Sequence, residues 1–169
     1  MASKQKQKQI FSGTVERPGR KLQLVASTGK VGGTAGFVTR AASNIDLVTL
    51  PASQSASKFV IPVTGLKVGD VITGFSLAGQ IESAGGAVTL DAELRKMTAA
   101  AADVADASVG SMTQIAVTAD TAITDANSTK TGLSEIVGED ESFYLLITGT
   151  TAASTDVCLQ SAKIILTEQ

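Results

Sequence analysis

A chain of 169 residues with a net charge of −2 is long enough to bury a core without metals or crosslinks. It has no His and a single Cys, which excludes serine or cysteine triads with a His base, His-containing zinc sites and an internal disulfide. The charge is split: residues 1–40 hold eight bases against one acid, +7, and residues 41–169 hold six bases against fifteen acids, −9. Such asymmetry bears on association and not on fold.

Residues 1–22 read as an extended arm. Lys4, Lys6 and Lys8 alternate with Gln, and Arg17 and Arg20 flank Pro18-Gly19. Fully extended at ~3.3 Å per residue, such an arm reaches ~70 Å. It is either a solvated tail or a segment that docks on a neighbour; the apolar pair Ile10-Phe11 favours docking. No apolar stretch follows the first lysines, so a secretory signal is not expected in the chain as it stands. The expected arm contacts are Lys4, Lys6, Lys8, Ile10, Phe11, Arg17 and Arg20. Gly29 to Gly36 is Gly-rich, but its Lys is misplaced for a phosphate loop and its spacing is not Gly-x-Gly-x-x-Gly, so it reads as a structural turn. Residues 1–43 are therefore expected to form a basic extended arm and Gly-rich linker, and residues 44–169 a β-sandwich.

From Ile45 onward the apolar period is two, the strand signature. Ile45, Leu47 and Thr49 make one run and Phe59, Ile61 and Val63 the next, with Pro62 implying an edge or bulge. Val71 to Ile81 predicts a long strand, bent at Gly74 or Gly79. Ser83-Ala84-Gly85-Gly86 reads as a tight hairpin. Val88, Leu90, Ala92 and Leu94 opposite Thr89, Asp91, Glu93 and Arg95 form the cleanest half-buried strand. Ala99 to Val109 is the helix candidate, or a loop. Ile115 starts a strand expected to run towards Ile123, Thr124 to Thr131 is polar loop, and Leu133 to Val137 is a short apolar run. Phe143 to Thr148 reads as a strand buried on both sides, and Val157 to Thr167 is the last strand. About eight strands with regular turns predict an all-β, antiparallel sandwich of jelly-roll type.

Candidate chemistry rests on acids. Asp103 with Asp106, Asp120 and Asp125 with Asn127, and Glu139 to Glu141 form three loop groups. Oxygen-rich loops can hold calcium, and Asp120, Asp125 and Asn127 would be the set, but the EF-hand spacing is absent and solvated turns are the simpler reading. Asp91 and Glu93 share a strand face; paired carboxylates serve glycoside hydrolysis, yet the face reads as solvated, or as a surface for a basic partner. Tyr144 is the one aromatic suited to a sugar platform, and it reads as interior. Three spaced lysines are a thin patch for nucleic acid, and no run approaches the ~20 apolar residues of a membrane span. Cys158 between Val157 and Leu159 reads as a packed strand cysteine. No cofactor, metal centre or catalytic residue is expected.

The arm, the stretch from Phe59-Val60-Ile61-Pro62-Val63 to Gly69-Asp70-Val71-Ile72-Thr73-Gly74-Phe75, and the segment Phe143-Tyr144-Leu145-Leu146-Ile147-Thr148-Gly149-Thr150-Thr151 resemble bacteriophage virion structural proteins, of capsid decoration (cement) or jelly-roll coat type. The resemblance implies a non-enzymatic subunit, made in the host cytoplasm and located in the virion. Its partners would be copies of itself, as a trimer or larger lattice, and other capsid proteins. The alternative is a ligand- or glycan-binding β-sandwich module of a phage tail or fibre.

Overall fold

The computed structural model describes residues 21–25, 30–32, 36–42, 45–99 and 103–167. In chain order the strands are β1 Lys21–Val25, β2 Lys30–Gly32, β3 Val38–Ala42, β4 Ile45–Leu50, β5 Gln54–Val63, β6 Val71–Ser83 and β7 Val88–Ala99. They continue with β8 Val104–Ser111, β9 Ile115–Val117, β10 Thr121–Ile123, β11 Glu135–Ile136, β12 Glu141–Thr151 and β13 Thr155–Thr167. One helical turn, α1 Asp125–Ser128, follows β10.

The strands form two antiparallel sheets. The first has the order β10-β6-β13-β4-β3, with β1 beside β13 and β11 beside β6; the second has the order β2-β5-β12-β7-β8, with β9 beside β7. The chain changes sheet between β1 and β2, β2 and β3, β4 and β5, β5 and β6, β6 and β7, β9 and β10, β11 and β12, and β12 and β13. Four-stranded layers β4-β13-β6-β10 and β5-β12-β7-β8, threaded in this way, are the jelly roll expected from the strand pattern.

The core lies between the sheets and follows the alternation. On β12, Phe143, Leu145 and Ile147 point inward while Tyr144, Leu146 and Thr148 are half-buried on the other face. They pack against Ile61, Leu90, Leu94, Phe75, Leu77 and Ile164 from both sheets. Phe37 and Phe59 are the one close aromatic pair among the described residues, with centroids 5.4 Å apart. On β13 the buried positions switch from Val157 and Leu159 to Ala162, Ile164 and Leu166. An extra residue in that strand, Gln160, produces the switch, opposite Gly79 and Ala78 of β6. A second irregularity inserts Thr73 of β6 beside Gly74. Each bulge keeps apolar side chains inside where strict alternation would turn them out; of the two positions read for a bend, Gly74 adjoins the extra residue of β6, and Gly79 faces the extra residue of β13.

Several expectations need correction. The sandwich was expected from residue 44, but β1, β2 and β3 precede it and pair with β13, β5 and β4; edges this short carry little periodic signal. Val104–Ser111 is a strand, neither the helix nor the loop expected over Ala99 to Val109, because pairing with β7 fixes its Ala-rich backbone. Ser83 to Gly86 is not a hairpin: β6 and β7 lie in different sheets. Gly85 does take the positive φ, +95°, that the turn composition signals. The run from Ile115 to Ile123 is two strands in two sheets, and the loop after Thr124 holds α1. Pro62 lies on the part of β5 beyond the residues paired with β2, where a missing N–H costs no ladder bond among the described residues.

At one end of the sandwich Lys96 ties the sheets together. Its ammonium is 2.6 Å from Glu135 on β11 and 2.9 Å from Glu141 on β12. Lys96, and then the Gly138 N–H, hold the Glu141 carboxyl below its usual 4.5. The sign follows from linkage: a lowered folded-state value gives stability that is present above pH 4.5 and lost as pH falls through the folded value. Lys96→Met is expected to lower the melting temperature at neutral pH, and to flatten its decline on acidification. Melting curves across the acid range test this, and an unchanged acid slope would remove the pair from the account.

Candidate functional site: the outward face of the second sheet

The alternation that sends Phe143, Leu145 and Ile147 into the core places the residues between them on the outward face of β12. Tyr144 lies opposite Pro62 on β5 and Arg95 on β7; Leu146 lies opposite Val60 and Glu93; Ser142 lies opposite Met97. The face therefore has two halves. In one half, Val60 and Pro62 of β5, Tyr144 and Leu146 of β12, and Met97 at the far end of β7 line a shallow apolar groove. On the β7–β8 side, charged groups are locked together.

Arg95 is the centre of the charged half. Its Nη1 donates to Glu93 at 3.0 Å, and its Nε donates to Asp106 and to the Tyr144 hydroxyl, both at 3.1 Å. The Tyr144 hydroxyl donates in turn to both Asp106 oxygens at 2.9 Å. Asp106 is held below the usual carboxylate range, first by Arg95 and then by Tyr144. Burial first, and then Asp106, pushes the Tyr144 hydroxyl up. Asp106, Glu93 and Tyr144 raise Arg95 further above its normal range. At neutral pH the cluster thus has fixed charges and a fixed Tyr donor, an arrangement that presents oriented polar groups.

Asp91 and Glu93 share this face as the spacing indicates, but take separate partners: Glu93 holds Arg95, and Asp91 accepts from Gln114 at 2.7 Å. Tyr144, read as interior, stands on the outer face. Asp120, Asp125 and Asn127 are each occupied elsewhere. Asp120 accepts from the Ser83 N–H, Asp125 binds Ser76 and Lys163, and Asn127 accepts from the Thr124 N–H while donating to the Ala122 carbonyl. Lys163, followed by Ser76, lowers the Asp125 carboxyl. Among the described residues no three His, Cys, Asp or Glu side chains converge as metal ligands. Asp103 caps the N–H of Val104, and Glu141 of the third acidic group belongs to the Lys96 pair. Cys158 is half-buried beside Thr49. The arm positions Lys4, Lys6, Lys8, Ile10, Phe11, Arg17 and Arg20 lie outside the described residues.

Sequence reasoning gave no role to Arg95 or to the apolar set around Leu146, and it grouped Asp106 with Asp103 in a loop where the structure places it against Tyr144 and Arg95. The signal for Tyr144 and Leu146 was present, since strict alternation separates them from Phe143, Leu145 and Ile147. Nothing local signals that Asp106 reaches Tyr144, because the contact spans two intervening strand pairings.

No protein-family model matches the chain, and no curated protein sequence does. Its fold is similar to the CBM36-1 domain of a multidomain xylanase from the hindgut metagenome of Trinervitermes trinervoides, at 11% identity over 86% of this chain and 96% of that one, with a TM-score of 0.49. It is similar to the C-terminal CBM6 of LamC from Zobellia galactanivorans, at 10% identity over 88% of this chain and 100% of that one, TM-score 0.47. It also aligns with a chain of infectious bursal disease virus Gt strain, at 13% identity over 99% of this chain and 38% of that one, TM-score 0.38. Similarity this distant carries nothing about function.

Proposed function

We propose that the protein is a non-enzymatic structural subunit of a phage particle, a decoration or coat protein held to its neighbours by its basic N-terminal segment. The observation that carries this reading is the charge split, +7 before residue 41 and −9 after it. Such a segment finds its electrostatic complement on the body of another copy or of another capsid protein. The jelly roll supplies a rigid block, and many weak ties add through multivalency.

Deletion of residues 1–20 tests it. The truncated chain is expected to keep the strand signal and melting behaviour of the intact one, because the described strands begin at Lys21. It is expected to lose self-association measured by light scattering, and association of the intact chain is expected to weaken with added salt. A truncated protein that associates like the intact one would end this reading.

The charged half of the outward face favours a second reading, a glycan-binding module. Tyr144, Arg95 and Asp106 present an aromatic ring beside fixed donors and acceptors, the mixture that polar ligands use. Glycan binding that survives the deletion but disappears in Tyr144→Ala would support it over the first.

A further inference from the structure

We infer that the apolar groove on the outward face of the second sheet receives the Ile10-Phe11 segment of a second copy of this chain. The inference rests on the assembly reading and names its contact surface. Val60, Pro62, Tyr144 and Leu146 make one continuous apolar strip by strand register, and Met97 borders it across Ser142. Single exposed apolar residues are ordinary, but a continuous strip rimmed by charge marks a binding surface.

Three observations select the occupant. The first is chemistry. Ile10 and Phe11 are the only adjacent large apolar pair in residues 1–20, and a Phe ring suits a groove walled by Met97 and Tyr144. The second is charge. Residues 1–20 hold Lys4, Lys6, Lys8, Arg17 and Arg20 against Glu16, while the rim beside the groove holds Asp91, Glu93 and Asp106 against Arg95 and Lys58. The third is reach: ten residues from Phe11 to Lys21 span up to ~33 Å, enough to cross onto an adjoining copy.

The geometry favours a neighbour's groove over the chain's own. β1 pairs with β13 in the first sheet, whereas the groove lies on the outward face of the second. A chain's own segment must round the sandwich edge to reach it, and a neighbour's need not. The contact is then heterologous, one copy's segment on the next copy's face, which builds rings or lattices.

Complementation between two full-length variants tests this. One variant, Ile10→Ser with Phe11→Ser, loses the ligand but keeps the groove; the other, Leu146→Glu, loses the groove but keeps the ligand. Each alone is expected to self-associate at least about tenfold more weakly than the intact protein, with melting behaviour close to it. Their equimolar mixture is expected to recover a dimer mass by sedimentation. A mixture that stays monomeric, or Leu146→Glu protein that assembles like the intact chain, overturns the proposal. If deletion of residues 1–20 still abolishes assembly in that case, the assembly reading stands and the receiving surface lies elsewhere. If the deletion has no effect, both fall. An unfolded Leu146→Glu chain is replaced by Met97→Glu, at an exposed groove position, and the same outcomes apply.

Discussion

Leu145→Ala is expected to destabilise the sandwich by about 3 kcal/mol, and Leu146→Ala, one residue on, by less than about 1 kcal/mol. Leu145 is 0% exposed at the middle of β12, and its strand partners Ile61 and Leu94 are also 0% exposed. Truncation there removes methyl groups packed between the two sheets and leaves a cavity that the pleated layers cannot collapse to fill. Leu146 faces outward, where water takes the vacated space. A loss of about 3 kcal/mol is a large part of the 5–15 kcal/mol that holds a domain together. Urea unfolding reads both variants, with the midpoint moving and the slope held. Equal losses at the two positions would contradict the inward–outward assignment of β12, and with it the location of the groove.

Gly79→Ala is expected to cost about 3 kcal/mol through overpacking, more than a typical loop glycine. A Cβ built on Gly79 would lie 2.2 Å from the Cys158 carbonyl oxygen and 3.1 Å from the Leu159 Cα. Both are backbone atoms of β13, so relief requires the β6–β13 pairing itself to part next to the Gln160 bulge. Gly85 provides the contrast. A Cβ there has no atom within 4 Å, and the cost comes only from its φ of +95°, about 1 kcal/mol. At roughly 2–4 °C per kcal/mol for a chain of this size, Gly79→Ala lowers the melting temperature by roughly three times as much as Gly85→Ala. The reverse order would show that β6 and β13 separate easily there.

The strands with strict alternation were legible because period two reports a half-buried sheet directly. Val88 to Leu94 is the clearest case, and its inward and outward sets are those observed. What stayed hidden is which sheet each strand joins. Ser83 to Gly86 has the composition of a turn, and Gly85 has the backbone of one, but local chemistry cannot tell a hairpin from a crossing between layers. The strand at Val104–Ser111 was hidden for a related reason. Its Ala-rich residues favour helix in isolation, and only pairing with β7 overrides that preference. The candidate site was legible in part. Asp91 and Glu93 were placed outward, but the apolar look of Phe143 to Thr148 concealed Tyr144 and Leu146, and Arg95 gains its role from Asp106 on a neighbouring strand.

The position of β13 sets the order in which the molecule can form. This strand lies between β6 on one side and β4 and β1 on the other. Until Thr155–Thr167 has been translated and has left the ribosome, the first sheet is three separate parts, β10-β6-β11, β4-β3 and β1, and β6 has an open edge. Contacts this distant in sequence make folding slow, and an unpaired strand edge invites pairing with other nascent chains. Folding of the first sheet therefore waits for β13, and high expression favours aggregation of chains that still lack it.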